Sequence, residues 1–126
     1  DYAEAKEWFG KSCDNGYQMV CEQYRKLNNL FQDEQEANQG NLDAQFKLGV
    51  LYISGEGVRQ DYAEAFKWFK LSADQGNSGA QFMLGRMYFN GEGVRQDYAE
   101  AKEWFGKSCD NGYQRGCEQY RELNNL

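Results

Sequence analysis

GNLDAQFKLGVLYISGEGVRQDYAEAFKWFKLSADQG, residues 40–76, is the stretch that decides the fold, because a closely similar stretch follows it in the chain. The second copy, GNSGAQFMLGRMYFNGEGVRQDYAEAKEWFGKSCDNG, covers residues 76–112, so the period is 36 residues. Glycine and aromatic residues recur at the same places, for example at Gly49 and Gly85. A period of roughly 20–50 residues with helical patterning is typical of a solenoid of stacked helix pairs.

Each copy divides into two helical segments joined by a loop. In the first segment, apolar side chains surround nearly the whole helix from Ala44 to Ile53, which predicts an inner helix packed between neighbours. Because Gly49 and Gly85 lower helix propensity, we expect them to allow another helix to approach closely. The second segment has one apolar face and follows Asp61, a suitable N-cap, which predicts an outer helix. The sequence therefore predicts an all-α chain of antiparallel helix pairs.

Three tryptophans occupy one position of the repeat, and we expect them to pack between successive repeats. They are Trp8, Trp68 and Trp104.

The repeated pattern A-x3-L-G-x2-Y-x2-G-x-G-V-x2-D-x3-A-x2-W-x7-G resembles the Sel1-like repeat, a relative of the tetratricopeptide repeat. Two full copies carry the pattern, and a half copy matches it at Asp1, Ala5, Trp8 and Gly16. The resemblance implies an α/α solenoid, a Sel1-like superhelix. It also implies a scaffold or adaptor that binds other proteins, without catalytic residues.

A longer repeat relates the two ends of the chain. Residues 1–30 and 97–126 are offset by 96 residues, which is not a multiple of 36, so the repeat register breaks once. A tandem copy, natural or engineered, is the preferred explanation, and a single degenerate repeat is the alternative. The two segments differ only at the pairs Met19/Arg115, Val20/Gly116 and Lys26/Glu122.

We divide the chain accordingly into four parts. They are a partial repeat with a degenerate linker helix (1–39), two Sel1-like repeats (40–75 and 76–111) and a C-terminal capping helix (112–126).

Composition narrows the classes of function. The 126 residues include 14 Lys and Arg against 20 Asp and Glu, a net charge of −6, which argues against nucleic-acid partners and anionic membranes. The chain has no histidine, which excludes imidazole bases and histidine-containing metal sites, and we expect no metal and no cofactor. No apolar run approaches the length of about 18 residues that crosses a bilayer, so we expect no membrane insertion.

Four cysteines form two C-x7-C pairs, Cys13 with Cys21 and Cys109 with Cys117. Each pair flanks a predicted chain reversal, which should bring the two side chains towards disulfide distance. Structural disulfides are the preferred interpretation, while a zinc site and free or redox-active thiols are the alternatives. Within the Sel1-like family the spacing is similar to that of a cysteine-rich bacterial subgroup first noted in Helicobacter. This likeness implies hairpin disulfides and an exported protein, periplasmic or secreted.

That subgroup also carries a β-lactamase or penicillin-binding label, which raises an enzymatic alternative. Serine enzymes that recognise penicillin use a Ser-x-x-Lys motif, and none of the five serines here has a lysine three residues later. We therefore predict no enzyme and keep a weak penicillin-binding protein as the alternative. A third interpretation is a self-associating array without a ligand, in which near-identical end segments exchange to form a domain-swapped homodimer.

Candidate partner-binding residues lie on the predicted inner helices, where the two copies differ within a constant frame. Positions that vary in this way either contact a partner or are exposed positions at which substitutions are tolerated. With two full repeats, the expected ligand is an extended peptide or one helix of a protein partner on the concave side. The candidates that differ are Lys47, Val50 and Ile53 in the first copy and Met83, Arg86, Phe89 and Asn90 in the second, and the identical residues Gln45 and Gln81 are included because they lie nearby.

Overall fold

A computed structural model describes residues 2–14 and 18–125. These residues form no strand, and each helix packs against its neighbours in chain order, which confirms the predicted all-α solenoid. The helices are α1 (Tyr2–Asp14), α2 (Gln18–Asn38), α3 (Leu42–Ser54), α4 (Tyr62–Asp74), α5 (Ser78–Asn90), α6 (Tyr98–Asp110) and α7 (Gln114–Asn124).

Side-chain caps define where the helices of the two full repeats begin. Asp61 begins α4 by accepting a hydrogen bond from the backbone N–H of Glu64 at 3.1 Å, which confirms its predicted role. Asn41, Asn77 and Asp97 cap α3, α5 and α6 in the same way. The helix pairs of the repeats are therefore delimited by their own local sequence.

The core is a series of clusters between successive helices. Trp68 is buried against α2 and α3, and Trp104 is buried one repeat later against α4 and α5. The expected packing between repeats is confirmed for these two residues. It is wrong for Trp8, whose side chain is 69% exposed, because α1 packs mainly against α2.

Helix α2 replaces two helices and the loop of a regular repeat. It runs for 21 residues without the glycine-containing loop that separates α3 from α4. Its first part has nearly the sequence of α7, and its second part pairs with α3 as α4 pairs with α5. One continuous helix thus accommodates the break in the repeat register.

Candidate functional site

Most of the predicted contact residues form one surface on α3 and α5. Spacings of three or four residues along each helix place them on neighbouring positions of one side. Val50 is 39% and Phe89 36% exposed, so apolar side chains reach solvent within this surface. We call it the inner face, and its members are Lys47, Val50, Ile53, Met83, Arg86, Phe89 and Asn90, of which Ile53 and Met83 are half-buried.

Gln45 and Gln81 were predicted to belong to this surface, but the structure buries both side chains. They are 3% and 4% exposed. Gln45 Nε2 donates to the Ala37 carbonyl at 3.0 Å, and Gln45 Oε1 accepts from Gln75 Nε2 at 2.8 Å. Gln81 makes the matching pair of bonds one repeat later. Each glutamine therefore links the helices on either side of its own, and neither side chain is available to a partner.

The buried serines also act within the fold. Ser72 Oγ donates to the Leu42 carbonyl at 2.7 Å, and Ser108 Oγ donates to the Ser78 carbonyl at 2.8 Å. Both serines are fully buried. Their hydroxyls join the outer helix of each repeat to the start of its inner helix.

The α3 end of the inner face adjoins a cavity of about 440 Å³ between α2 and α3. Lys47 Nζ lies 3.5 Å from Asp33 Oδ1, so its charge already has a partner. The charged residues that line the cavity are Lys26, Asp33, Lys47 and Glu56. Because two are positive and two are negative, this end presents no excess of either sign.

The α5 end adjoins a second cavity, of about 240 Å³, which we call the α5–α7 cavity. Phe82 and Phe105 are buried with ring centroids 5.4 Å apart, and they form its floor. The guanidinium carbon of Arg115 lies 4.9 Å from the centroid of the Phe82 ring, a cation–π distance. The residues that line it, within the part of the chain that the structure describes, are Phe82, Arg86, Phe89, Phe105, Arg115 and Gln119, and none of these is acidic.

Sequence reasoning identified only Arg86 and Phe89 among these six residues. Phe82 has the same residue type as its counterpart Phe46, so it looked like a core position. Arg115 did carry a signal, because it is one of the three differences between the repeated end segments. Gln119 carried none.

Both cysteine pairs form disulfides, with Cα–Cα distances of 4.6 Å for Cys13–Cys21 and 4.5 Å for Cys109–Cys117. The preferred interpretation is confirmed, and the alternatives of a zinc site and free thiols are wrong. The second bridge ties α7 to α6 close to Arg115, so it helps to hold one wall of the α5–α7 cavity. Stable disulfides are typical of proteins from oxidising compartments.

Gly116 distinguishes the two nearly identical end segments. A Cβ added to this buried glycine would lie 2.7 Å from Ser108 Oγ, so α7 packs closely on α6. The first segment has the larger Val20 at this place. Because Gly116 and Ser108 both belong to residues 97–126, this contact would stay intact in an exchange of whole end segments.

The sequence pattern of the Sel1 repeat matches residues 1–17, 42–77 and 78–113, which together make up more than half of the chain. The chain belongs to the Sel1 repeat family. Sel1 repeat proteins are generally protein–protein interaction modules and are generally non-enzymatic.

Solved structures of other Sel1 repeat proteins resemble this one. A protective antigen of uropathogenic Escherichia coli strains with an SLR fold is 34% identical over 94% of this chain, with a TM-score of 0.71. A Sel1 repeat protein from Oxalobacter formigenes is 31% identical over 70% of this chain, with a TM-score of 0.68. Our chain spans only 28% and 35% of the length of these two proteins.

Helicobacter pylori cysteine rich protein B shares the fold at 20% identity, with 94% of this chain and 93% of that protein aligned at a TM-score of 0.72. No curated protein matches this chain. Within residues 2–14 and 18–125, no helix has both the length and the apolar character needed to cross a bilayer.

Proposed function

We propose that the inner face binds an extended peptide or one helix of a protein partner. The general role of Sel1 repeats supports a protein ligand. The observation that carries the proposal is the exposure of Val50 and Phe89 beside polar residues on adjacent inner helices. Exposed apolar side chains with polar neighbours are suited to a groove that recognises alternate residues of a peptide.

The outer helix α4 offers a less suitable surface, because two of its lysines pair with acidic side chains of the same helix. Lys70 Nζ lies 2.8 Å from Asp74 Oδ2 on α4, and Lys67 Nζ lies 4.0 Å from Glu64 Oε2 on the same helix. Such pairs stabilise the helix itself and keep the charged part of its surface solvated.

Selection of binders from a library of random peptides displayed on phage tests the proposal. Val50→Glu and Phe89→Glu place a charge on the inner face, and we expect each to weaken binding of the selected peptides about tenfold or more. Leu71→Glu is the matched control, because Leu71 is an exposed apolar residue (43%) on the outer helix α4. Equal binding by all three variants, with circular dichroism showing all three folded, would contradict the proposal.

We further propose that the protein is exported by a bacterium to the periplasm or the medium. The two disulfides support this location, since bridges persist where the surroundings are oxidising. Antibodies raised against the chain should detect it in the periplasmic or extracellular fraction of the source cells. Detection in the cytoplasmic fraction alone, with four thiols that react with iodoacetamide under denaturing conditions, would contradict export.

A further inference from the structure

The α5–α7 cavity is cationic in a protein that is acidic as a whole. Arg86 and Arg115 are both exposed, and neither has an ion-pair partner in the part of the chain that the structure describes. The net charge of the chain is −6, yet none of the described residues that line this cavity is acidic. Two unpaired guanidinium groups beside apolar rings are complementary to a ligand that combines a carboxylate with apolar groups.

We propose that the α5–α7 cavity binds an acidic side chain of an extended partner segment, flanked by apolar side chains two residues away on each side. This inference rests on the proposed function, because it assigns a chemistry to one end of the inner face. The volume of about 240 Å³ is below the roughly 300–1,000 Å³ of small-molecule sites, so the cavity suits side chains of a longer ligand.

The spacing along α5 supports this pattern. Phe82, Arg86 and Phe89 follow each other at intervals of about one turn, or roughly 5.4 Å along the helix axis. Alternate side chains of an extended peptide share one face and stand roughly 6.6–6.8 Å apart. A segment with the order apolar, any, acidic, any, apolar can therefore place its carboxylate at Arg86 and its apolar side chains near Phe82 and Phe89.

Comparison within the chain shows that the fold does not require these charges. One repeat earlier, Val50 aligns with Arg86, and Gly79 aligns with Arg115. In the repeated end segment, Met19 stands at the place of Arg115. Equivalent helices of this chain thus have uncharged residues at both positions. The fold does not need the two arginines, which leaves ligand binding as a role for them.

The position of Arg115 favours binding without large rearrangement. Its guanidinium group already lies over the Phe82 ring, so part of its side-chain freedom is lost before a ligand arrives. Arginine also forms bidentate hydrogen bonds with a carboxylate, which a lysine at this place would not form.

The test uses the full chain and a heptapeptide of sequence Ala-Leu-Ala-Glu-Ala-Leu-Ala, acetylated and amidated so that its termini carry no charge. Titration followed by backbone NMR shifts measures its Kd, and a second peptide has Gln instead of Glu. We expect the Glu peptide to bind about fivefold or more tightly, with shifts on α5 and α7, and this preference should shrink in 0.5 M salt as charges are screened.

Arg86→Val and Arg115→Met introduce residues that the chain itself uses at equivalent positions, so both variants are expected to fold. Each should reduce the preference for the Glu peptide to less than about twofold. Arg121→Met removes the same charge from an exposed position of α7 outside the cavity and should leave the preference unchanged. A preference that survives in both cavity variants would overturn the inference.

Three other outcomes also overturn it. Equal binding of the Glu and Gln peptides at the inner face would reject the carboxylate site and leave the proposed function standing. A third peptide has Gln and a free C-terminal carboxylate. If it binds as tightly as the Glu peptide, the arginines recognise the C-terminus of a partner and not an acidic side chain. If neither peptide shifts α5 or α7, the inference fails, and the phage selection on Val50 and Phe89 decides separately whether the inner face binds peptides.

Discussion

The ring of Phe105 lies directly against the backbone of Gly85: a Cβ added to Gly85 would stand 2.6 Å from two carbons of that ring. Gly49 and Phe69 have the same relationship one repeat earlier. The glycines therefore allow each inner helix to rest on a buried phenylalanine of its outer helix. The predicted close approach of helices at these glycines is confirmed.

Gly85→Ala should destabilise the protein, although alanine is the better helix former by about 1 kcal/mol. Phe105 is buried in the cluster with Phe82 and Ala101, so its ring cannot move aside freely. Overpacking of this kind costs about 1–3 kcal/mol. We expect a net loss of up to about 2 kcal/mol in the free energy of unfolding, measured by urea denaturation.

Phe105→Leu provides the control, because it removes the ring that the new methyl group would meet. In a double-mutant cycle, Gly85→Ala should cost less in the Phe105→Leu background than in the parent. An equal cost in both backgrounds would show that the ring does not limit the spacing of the two helices.

The fold could be predicted from the sequence because its determinants are local and recur with the period. Gly85 lies on an apolar helix and Asp61 precedes an amphipathic one, so spacing alone indicated their roles. The burial of Gln45 could not be predicted in this way, because its partner Ala37 lies on α2 and its partner Gln75 directly follows α4. Its identity with Gln81 was the available signal, since the contact residues were chosen for variation.

The candidate site was harder to predict than the fold. Arg86 and Phe89 were found because they differ from their counterparts in the first repeat. The α5–α7 cavity also needs Arg115, which belongs to α7, two helices further along, and lies 29 positions along the chain from Arg86. Which side chains meet across α5 and α7 depends on how the helices stack, and a repeat pattern does not specify that.

Gly93 and Gly57 allow a second stability test, because they occupy the same place in successive loops. Both have a positive φ, 73° and 76°, so alanine costs about 1–2 kcal/mol of conformational strain at either. A Cβ on Gly93 would in addition stand 2.5 Å from the Tyr62 carbonyl oxygen, whereas one on Gly57 meets nothing within 4 Å. Gly93→Ala should therefore lower the unfolding free energy by at least about 1 kcal/mol more than Gly57→Ala.

Thermal unfolding of the two glycine variants, followed by circular dichroism, measures this difference directly. A lower melting temperature for Gly93→Ala than for Gly57→Ala would show that the loop of the second repeat stabilises the protein by packing on the start of α4. Equal melting temperatures for Gly57→Ala and Gly93→Ala would show that this contact is absent in solution.

Because of Tyr88, the stability of the protein should change with pH in the alkaline range. Burial raises the pKa of its phenol above the ordinary value of 10.0, and the negative charge of Glu100 raises that pKa further, while Lys70 opposes the shift. Above pH 10 the unfolded chain therefore loses this proton more readily than the folded chain does. The free energy of unfolding should fall as the pH rises through 10 towards the raised pKa.

Tyr88→Phe removes this contribution, so its stability should fall less than that of the parent between pH 9 and about pH 11. Urea denaturation at a series of pH values measures the difference. Tyr98→Phe, at an exposed position, is the control and should follow the parent. Identical curves for Tyr88→Phe and the parent would show that Tyr88 does not contribute to the alkaline dependence.

The Cys109–Cys117 bridge should affect both stability and ligand preference. It closes a loop with a sequence separation of 8, so the double variant Cys109→Ser/Cys117→Ser should lose roughly 2–3 kcal/mol of unfolding free energy. Because Arg115 lies two positions before Cys117, a looser start of α7 should also reduce the preference for the Glu heptapeptide. Urea denaturation and the NMR titration measure the two effects.

The other bridge separates local from global causes. Cys13–Cys21 closes a loop of the same sequence separation, so Cys13→Ser/Cys21→Ser should cost a similar amount of stability. It joins α1 to α2, and none of the residues lining the α5–α7 cavity belongs to these helices. The peptide preference should therefore persist in this variant. If both double variants lose the preference equally, general loosening of the solenoid is the cause, and the bridge at α7 has no specific role in holding Arg115.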